Sequence, residues 1–123
     1  MTISRAKVMS ELVAPFSVRA RLTAEDYTVR FSHLWSAVAT RHSDTLDCKF
    51  FVNGRSVTVA LAHPGFVEFR ARTGRSLTDE EAARVAAAYL RECLEGDRDT
   101  DRPLLTVSRE DVVRLAEKLS APA

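Results

Sequence analysis

The chain has only two cysteines, Cys48 and Cys93, four glycines and four prolines in 123 residues. So few cysteines exclude a disulfide-dense scaffold, and so little Gly and Pro argues against low-complexity or disordered chemistry. No apolar run approaches the roughly 20 residues that a membrane-spanning helix needs. Nor does an apolar segment follow the polar stretch from Met1 to Lys7, so no secretory leader is expected. Charge of one sign is missing too: the formal net charge is +1. Bulk electrostatics therefore name no partner. The glycines are single and far apart, which excludes phosphate-cradling and dinucleotide-binding loops. Both cysteines fall on apolar faces of predicted elements, so they are expected as buried thiols of a cytoplasmic protein.

What remains is ordinary globular material, 46% apolar and 28% charged, long enough for one domain spanning 1–123. The charges are unevenly spread. Between 48 and 77, Lys49, Arg55, Arg70, Arg72 and Arg75 face only Glu68, whereas 78–123 holds seven cations and eleven anions. Either acidic helices lie on a basic sheet, or a basic face is kept for a partner.

Local signals give the element order. Ala6, Val8, Met9, Leu12 and Val13 predict a helix over 4–13, stopped by Pro15. Phe16, Val18, Ala20 and Leu22 alternate with polar residues, as in a short strand. Tyr27, Phe31, Leu34, Trp35, Val38 and Ala39 follow i, i+4, i+7, i+8, i+11 and i+12, which predicts a helix over 24–42, capped by Thr23 and Asp26. Val29 lies off that stripe.

The strongest signal is a hairpin turning at Asn53-Gly54. A type I′ turn needs positive φ at both central residues, which Asn-Gly tolerates. A two-residue loop fixes the register. Val52 faces Arg55, Phe50 faces Val57, Cys48 faces Val59 and Leu46 faces Leu61. That leaves Asp47, Lys49, Phe51, Ser56, Thr58 and Ala60 on the other face. His63-Pro64-Gly65 reads as a turn, and Val67, Phe69 and Ala71 as a third antiparallel strand.

Thr78-Asp79-Glu80-Glu81 is a capping box opening a helix with Ala82, Val85, Ala86, Tyr89, Leu90, Cys93 and Leu94 on one stripe, closed at Gly96. Residues 97–103 form a charged loop, 104–107 a short edge strand, and Ser108 with Asp111 caps a last helix. The expected fold is α+β in two layers: an antiparallel β-meander of three to four strands with helices on one face.

Chemistry is sparse. His33, His42 and His63 accompany no Ser or Cys in a nucleophile setting. The group His42, Asp44, Asp47 and Cys48 matches no established metal spacing. No catalytic, cofactor or metal residue is therefore assigned. The helix–sheet–helix order over 24–95, with Val52-Asn53-Gly54 and the alanine-rich stretch 82–88, resembles a double-stranded RNA-binding domain. That family grips phosphates with lysines at the start of its last helix, where this chain has Asp79, Glu80 and Glu81, so membership is not claimed.

Lys49, Phe51, Thr58, Arg70, Arg72 and Arg75 are expected to share the outer sheet face. That reading favours a non-catalytic module binding itself as a homodimer, or another protein. One alternative is weak nucleic-acid binding by the same basic face. Another is a small-molecule binder or enzyme with a pocket between helix 24–42 and the sheet, near Tyr27 and Trp35.

Overall fold

A computed structural model describes residues 12–37, 44–96 and 104–120. The helix expected over 4–13 lies almost wholly outside them, and so do His42 and the charged loop 97–103.

Among the described residues five strands and three helices follow one another: β1 (Phe16–Arg19), β2 (Asp26–Ala37), β3 (Thr45–Val52), β4 (Arg55–Ala62), α1 (His63–Thr73), α2 (Asp79–Glu95), β5 (Leu104–Val107) and α3 (Arg109–Ser120). The strands form one sheet in sequence order. β1 to β4 pair antiparallel, and β5 joins β4 in parallel. The α+β class and the meander hold. The meander has four strands and the sheet is mixed, because the α1–α2 crossover returns the chain beside β4.

Where a helix is expected over 24–42, the chain forms β2, the longest strand. The cause is a β-bulge. Phe31 pairs with Phe50 and His33 pairs with Lys49, so Ser32 is an extra residue. Before the bulge, Tyr27, Val29 and Phe31 point to the core, and after it Leu34 does. Inward residues at 27, 31 and 34 imitate the i, i+4, i+7 spacing of a helix. Val29, which no helical stripe accommodates, is fully buried in the strand. Thr23 does not cap a helix; its Oγ1 accepts the Glu25 backbone N–H at 3.3 Å in the β1–β2 turn. Leu22, expected to extend β1, sits in that turn and is exposed.

The β3–β4 register is the one its turn dictates, from Val52 opposite Arg55 to Leu46 opposite Leu61. Asn53 and Gly54 have φ of 50° and 83°. Cys48, Phe50, Val52, Val57, Val59 and Leu61 are buried under the helices.

The third antiparallel strand expected over 67–72 is helix α1. Pro64 lies in its first turn, where its fixed φ suits a helix start and the missing N–H costs nothing. Gly74, with φ 79°, closes the other end and donates its N–H to the Arg70 carbonyl at 2.8 Å. α1 buries Gly65 and Phe69. The apparent alternation of Val67, Phe69 and Ala71 marks no sheet face, since Val67 and Ala71 are exposed.

α2 begins at the capping box as expected. Thr78 Oγ1 accepts the Glu81 N–H at 3.1 Å, and the Thr78 N–H donates to Glu81 Oε1 at 2.9 Å. Ser108 caps α3 by accepting the Asp111 N–H at 3.2 Å. Arg114 of α3 reaches Glu92 of α2 with two hydrogen bonds of 2.9 and 3.0 Å. One apolar cluster runs through the whole assembly. Phe31 and Phe50 meet edge to face at 5.4 Å in it, and Leu61, Phe69, Leu90, Leu94 and Leu115 are fully buried there. Each such side chain contributes about 1.5–3 kcal/mol by leaving water.

Candidate interaction face

The helices pack against one side of the sheet; on the other, His33 and Trp35 are exposed, Asp47, Lys49, Phe51 and Thr58 are half-buried, and Ala60 is buried. Strand alternation decides what this outer face carries. β3 presents Asp47, Lys49 and Phe51, and β4 presents Ser56, Thr58 and Ala60 across from them. β2 adds Arg30 beside Phe51, His33 beside Lys49 and Trp35 beside Asp47. The bulge at Ser32 is what turns His33 and Trp35 outward; without the extra residue they would enter the core.

Two aromatic groupings organise the face. The Arg30 guanidinium lies 5.1 Å from the Phe51 ring centroid, and the Lys49 ammonium lies 5.3 Å from it. Each such contact is worth about 0.5–1 kcal/mol at an exposed site, which biases both cations toward the ring. One strand step away, the His33 and Trp35 rings lie 5.0 Å apart with planes 31° from parallel. His33 Nδ1 shares a 2.9 Å hydrogen bond with Ser32 Oγ, which fixes the ring. Trp35 remains 37% exposed. Asp47, held by Thr45 Oγ1 at 2.6 Å, supplies negative charge two residues from Lys49. Leu104 on β5 adds an exposed apolar side chain at the sheet edge.

Lys49, Phe51 and Thr58 therefore meet on one face as their register requires. Arg70, Arg72 and Arg75 do not join them, because their segment is α1 and the turn after it. Arg72 pairs with Glu68 at 2.7 Å and with Glu117 of α3 at 3.3 Å. Arg75 pairs with Glu81 at 2.9 Å and lies over the Phe69 ring at 5.2 Å. The charge asymmetry between the two stretches of chain is thus partly used within the molecule, between helices rather than between helix and sheet.

Arg30, His33 and Trp35 lie within the helix expected over 24–42, so the sequence does not place them on the sheet face. The misfit of Val29 was the available signal. A strand through Val29 with one bulge puts all three outside.

The pocket expected between helix 24–42 and the sheet has no counterpart, since that segment is β2. Tyr27 packs against the core and Trp35 lies on the outer face. The double-stranded RNA-binding order fails with the same helix. Asp44, Asp47 and Cys48 do not converge either, because Asp47 lies on the outer face while Cys48 is buried on the other. Among the described residues no group of three or more His, Cys, Asp and Glu is placed to hold a metal ion. Cys48 and Cys93 are buried thiols that form no disulfide with each other. Burial pushes the Cys48 thiol up to about 12, with Asp47 and Asp79 adding to the shift, so it is no nucleophile at neutral pH. No described helix is long and apolar enough to cross a membrane. No family model matches the chain, and no curated protein or solved structure matches it at significance.

Proposed function

We propose that this chain is a non-catalytic interaction module that pairs with a second copy of itself through the outer face of its sheet. The observation that carries the reading is Trp35 on His33, open to solvent beside the Phe51–Arg30–Lys49 cluster. Large aromatic and arginine side chains grouped at the centre of a face are what interface centres use.

Charge argues for a second copy in particular. On β3 a cation at Lys49 and an anion at Asp47 stand two residues apart on one face, about 6.6 Å along the strand. A two-fold axis passing between them brings each Lys49 over the Asp47 of the other copy. Such an isologous contact closes on itself and stops at the dimer.

Light scattering tests the reading. The chain is expected to run as a dimer at high micromolar concentration, and Phe51→Asp as a folded monomer. A strict monomer at all concentrations, unchanged by Phe51→Asp, overturns it.

Nucleic-acid binding by this face has less in its favour. Phe51 already carries two cations over its ring, and Arg72 and Arg75 are paired with carboxylates elsewhere. Free aromatic faces and unpaired cations are what a single strand needs. No gel shift is expected with single- or double-stranded RNA even at low salt; a shift that weakens steeply with added salt would reverse the order of the two readings.

A further inference from the structure

A cleft of about 440 Å³ lies between α1, the start of β3 and the start of α2. Its size is within the range of about 300–1,000 Å³ that holds small organic ligands. The α1 wall is a helical stripe, His63, Phe66, Val67 and Arg70, at i, i+3, i+4 and i+7. α1 therefore has two apolar faces. Gly65 and Phe69 are buried, whereas Phe66 and Val67 line the cleft together with Leu46 and Leu77. Val67 is 59% exposed, so this apolar surface is left open to solvent.

Both ends of the cleft are pinned. The His63 N–H donates to the Asp44 carbonyl at 2.9 Å, tying the start of α1 to the start of β3. Arg75 bonds Glu81 at 2.9 Å, tying the end of α1 to the capped start of α2. Bonds that tie the walls of a cleft together reduce the ordering a ligand must impose on entering.

The charges within it are unequal in standing. Arg72 and Arg75 each have a carboxylate partner, but Arg70 has none among the described residues. Two carboxylates also line the cleft, Asp44 at the start of β3 and Asp79 in the first turn of α2, where the helix dipole offsets part of its charge. The Arg70 guanidinium forms no ion pair among the described residues and lines the cleft next to the apolar stretch of Phe66, Val67, Leu46 and Leu77.

We infer that the cleft is a binding site for a small carboxylate with an apolar tail, its carboxylate on Arg70 and its tail over Phe66, Val67, Leu46 and Leu77. This site does not depend on self-association.

The test is a backbone amide NMR titration of the full chain with octanoate, octylamine and 1-octanol. Octanoate is expected to saturate shifts confined to 44–46, 63–70 and 76–82, with octylamine and octanol at least about tenfold weaker, as loss of a charge-assisted bond implies. Arg70→Gln, at an exposed position, should weaken octanoate by about the same factor while keeping the spectrum of the folded chain. Arg72→Gln should leave binding unchanged. No saturable shift, equal binding of all three probes, preference for octylamine, shifts outside the cleft, or an Arg70→Gln titration identical to the parent would each overturn the assignment.

Discussion

Asn53 and Thr28 are joined by two reciprocal hydrogen bonds. The Asn53 N–H donates to the Thr28 carbonyl at 2.9 Å, and the Thr28 N–H donates to Asn53 Oδ1 at 2.8 Å. The residue that turns the β3–β4 hairpin therefore also fastens that hairpin to β2. Asn53 Nδ2 extends the clamp to the Asp26 carbonyl at 3.3 Å. Asn53→Gly separates the two roles. Glycine keeps the positive φ of the turn but loses the side-chain bonds, so a loss of about 1 kcal/mol is expected in urea unfolding. An unchanged midpoint would mean that the clamp contributes nothing.

Gly65 sets how closely α1 approaches α3. A Cβ at position 65 would stand 2.6 Å from the Val112 Cβ. In a helix interior Gly→Ala ordinarily gains about 0.5–1 kcal/mol. Here overpacking costs about 1–3 kcal/mol and wins. Gly65→Ala should lower stability, and the loss should be smaller in a Val112→Gly background. Stabilisation by Gly65→Ala alone would show that the helices separate without cost.

Glu81 provides the pH dependence. The Arg75 guanidinium first, then the Thr78 backbone N–H, hold its carboxyl down at about 2. A carboxyl depressed on folding adds stability above its ordinary pKa, and that stability is lost as pH falls through the folded value. Glu81→Gln keeps the capping-box shape but not the charge. The parent should exceed it by up to about 1 kcal/mol at pH 7, allowing for solvent screening. The gap should close between about pH 4.5 and pH 2. A gap that widens on acidification contradicts the account.

Cys48 is expected to resist thiol reagents. It is fully buried with its pKa at about 12, and Cys93 is buried as well. Native protein should label with an aromatic disulfide reagent only as fast as it unfolds, and both thiols should react at once in denaturant. Rapid stoichiometric labelling of Cys48 in the native state would contradict its placement.

The features legible in the sequence are those that one or two local residues determine. Asn53-Gly54 dictates its turn and register, and Thr78 with Glu81 dictates the start of α2. In α1, Val67, Phe69 and Ala71 alternate by accident of two helical faces, although Pro64 and Gly74 bracket a helix. β2 was misread because a bulge converts strand alternation into helical spacing. Both errors concern the tertiary surroundings of a segment, which periodicity alone does not carry. They also account for the site. Lys49, Phe51 and Thr58 were found from the hairpin, Arg30, His33 and Trp35 were hidden by the bulge, and Arg70, Arg72 and Arg75 were carried to the wrong face by a strand that is a helix.

The most direct measurement of self-pairing is a charge exchange followed by sedimentation velocity. Lys49→Asp places two anions on the proposed contact, and Asp47→Lys places two cations there. Each variant alone should repel its own copy and sediment as a monomer, while an equimolar mixture of the two should restore the dimer. Two monomeric variants that form a mixed dimer are the predicted result. A mixture that stays monomeric while the parent dimerises, or single variants that dimerise like the parent, would place the contact elsewhere and contradict the outer face as the interface.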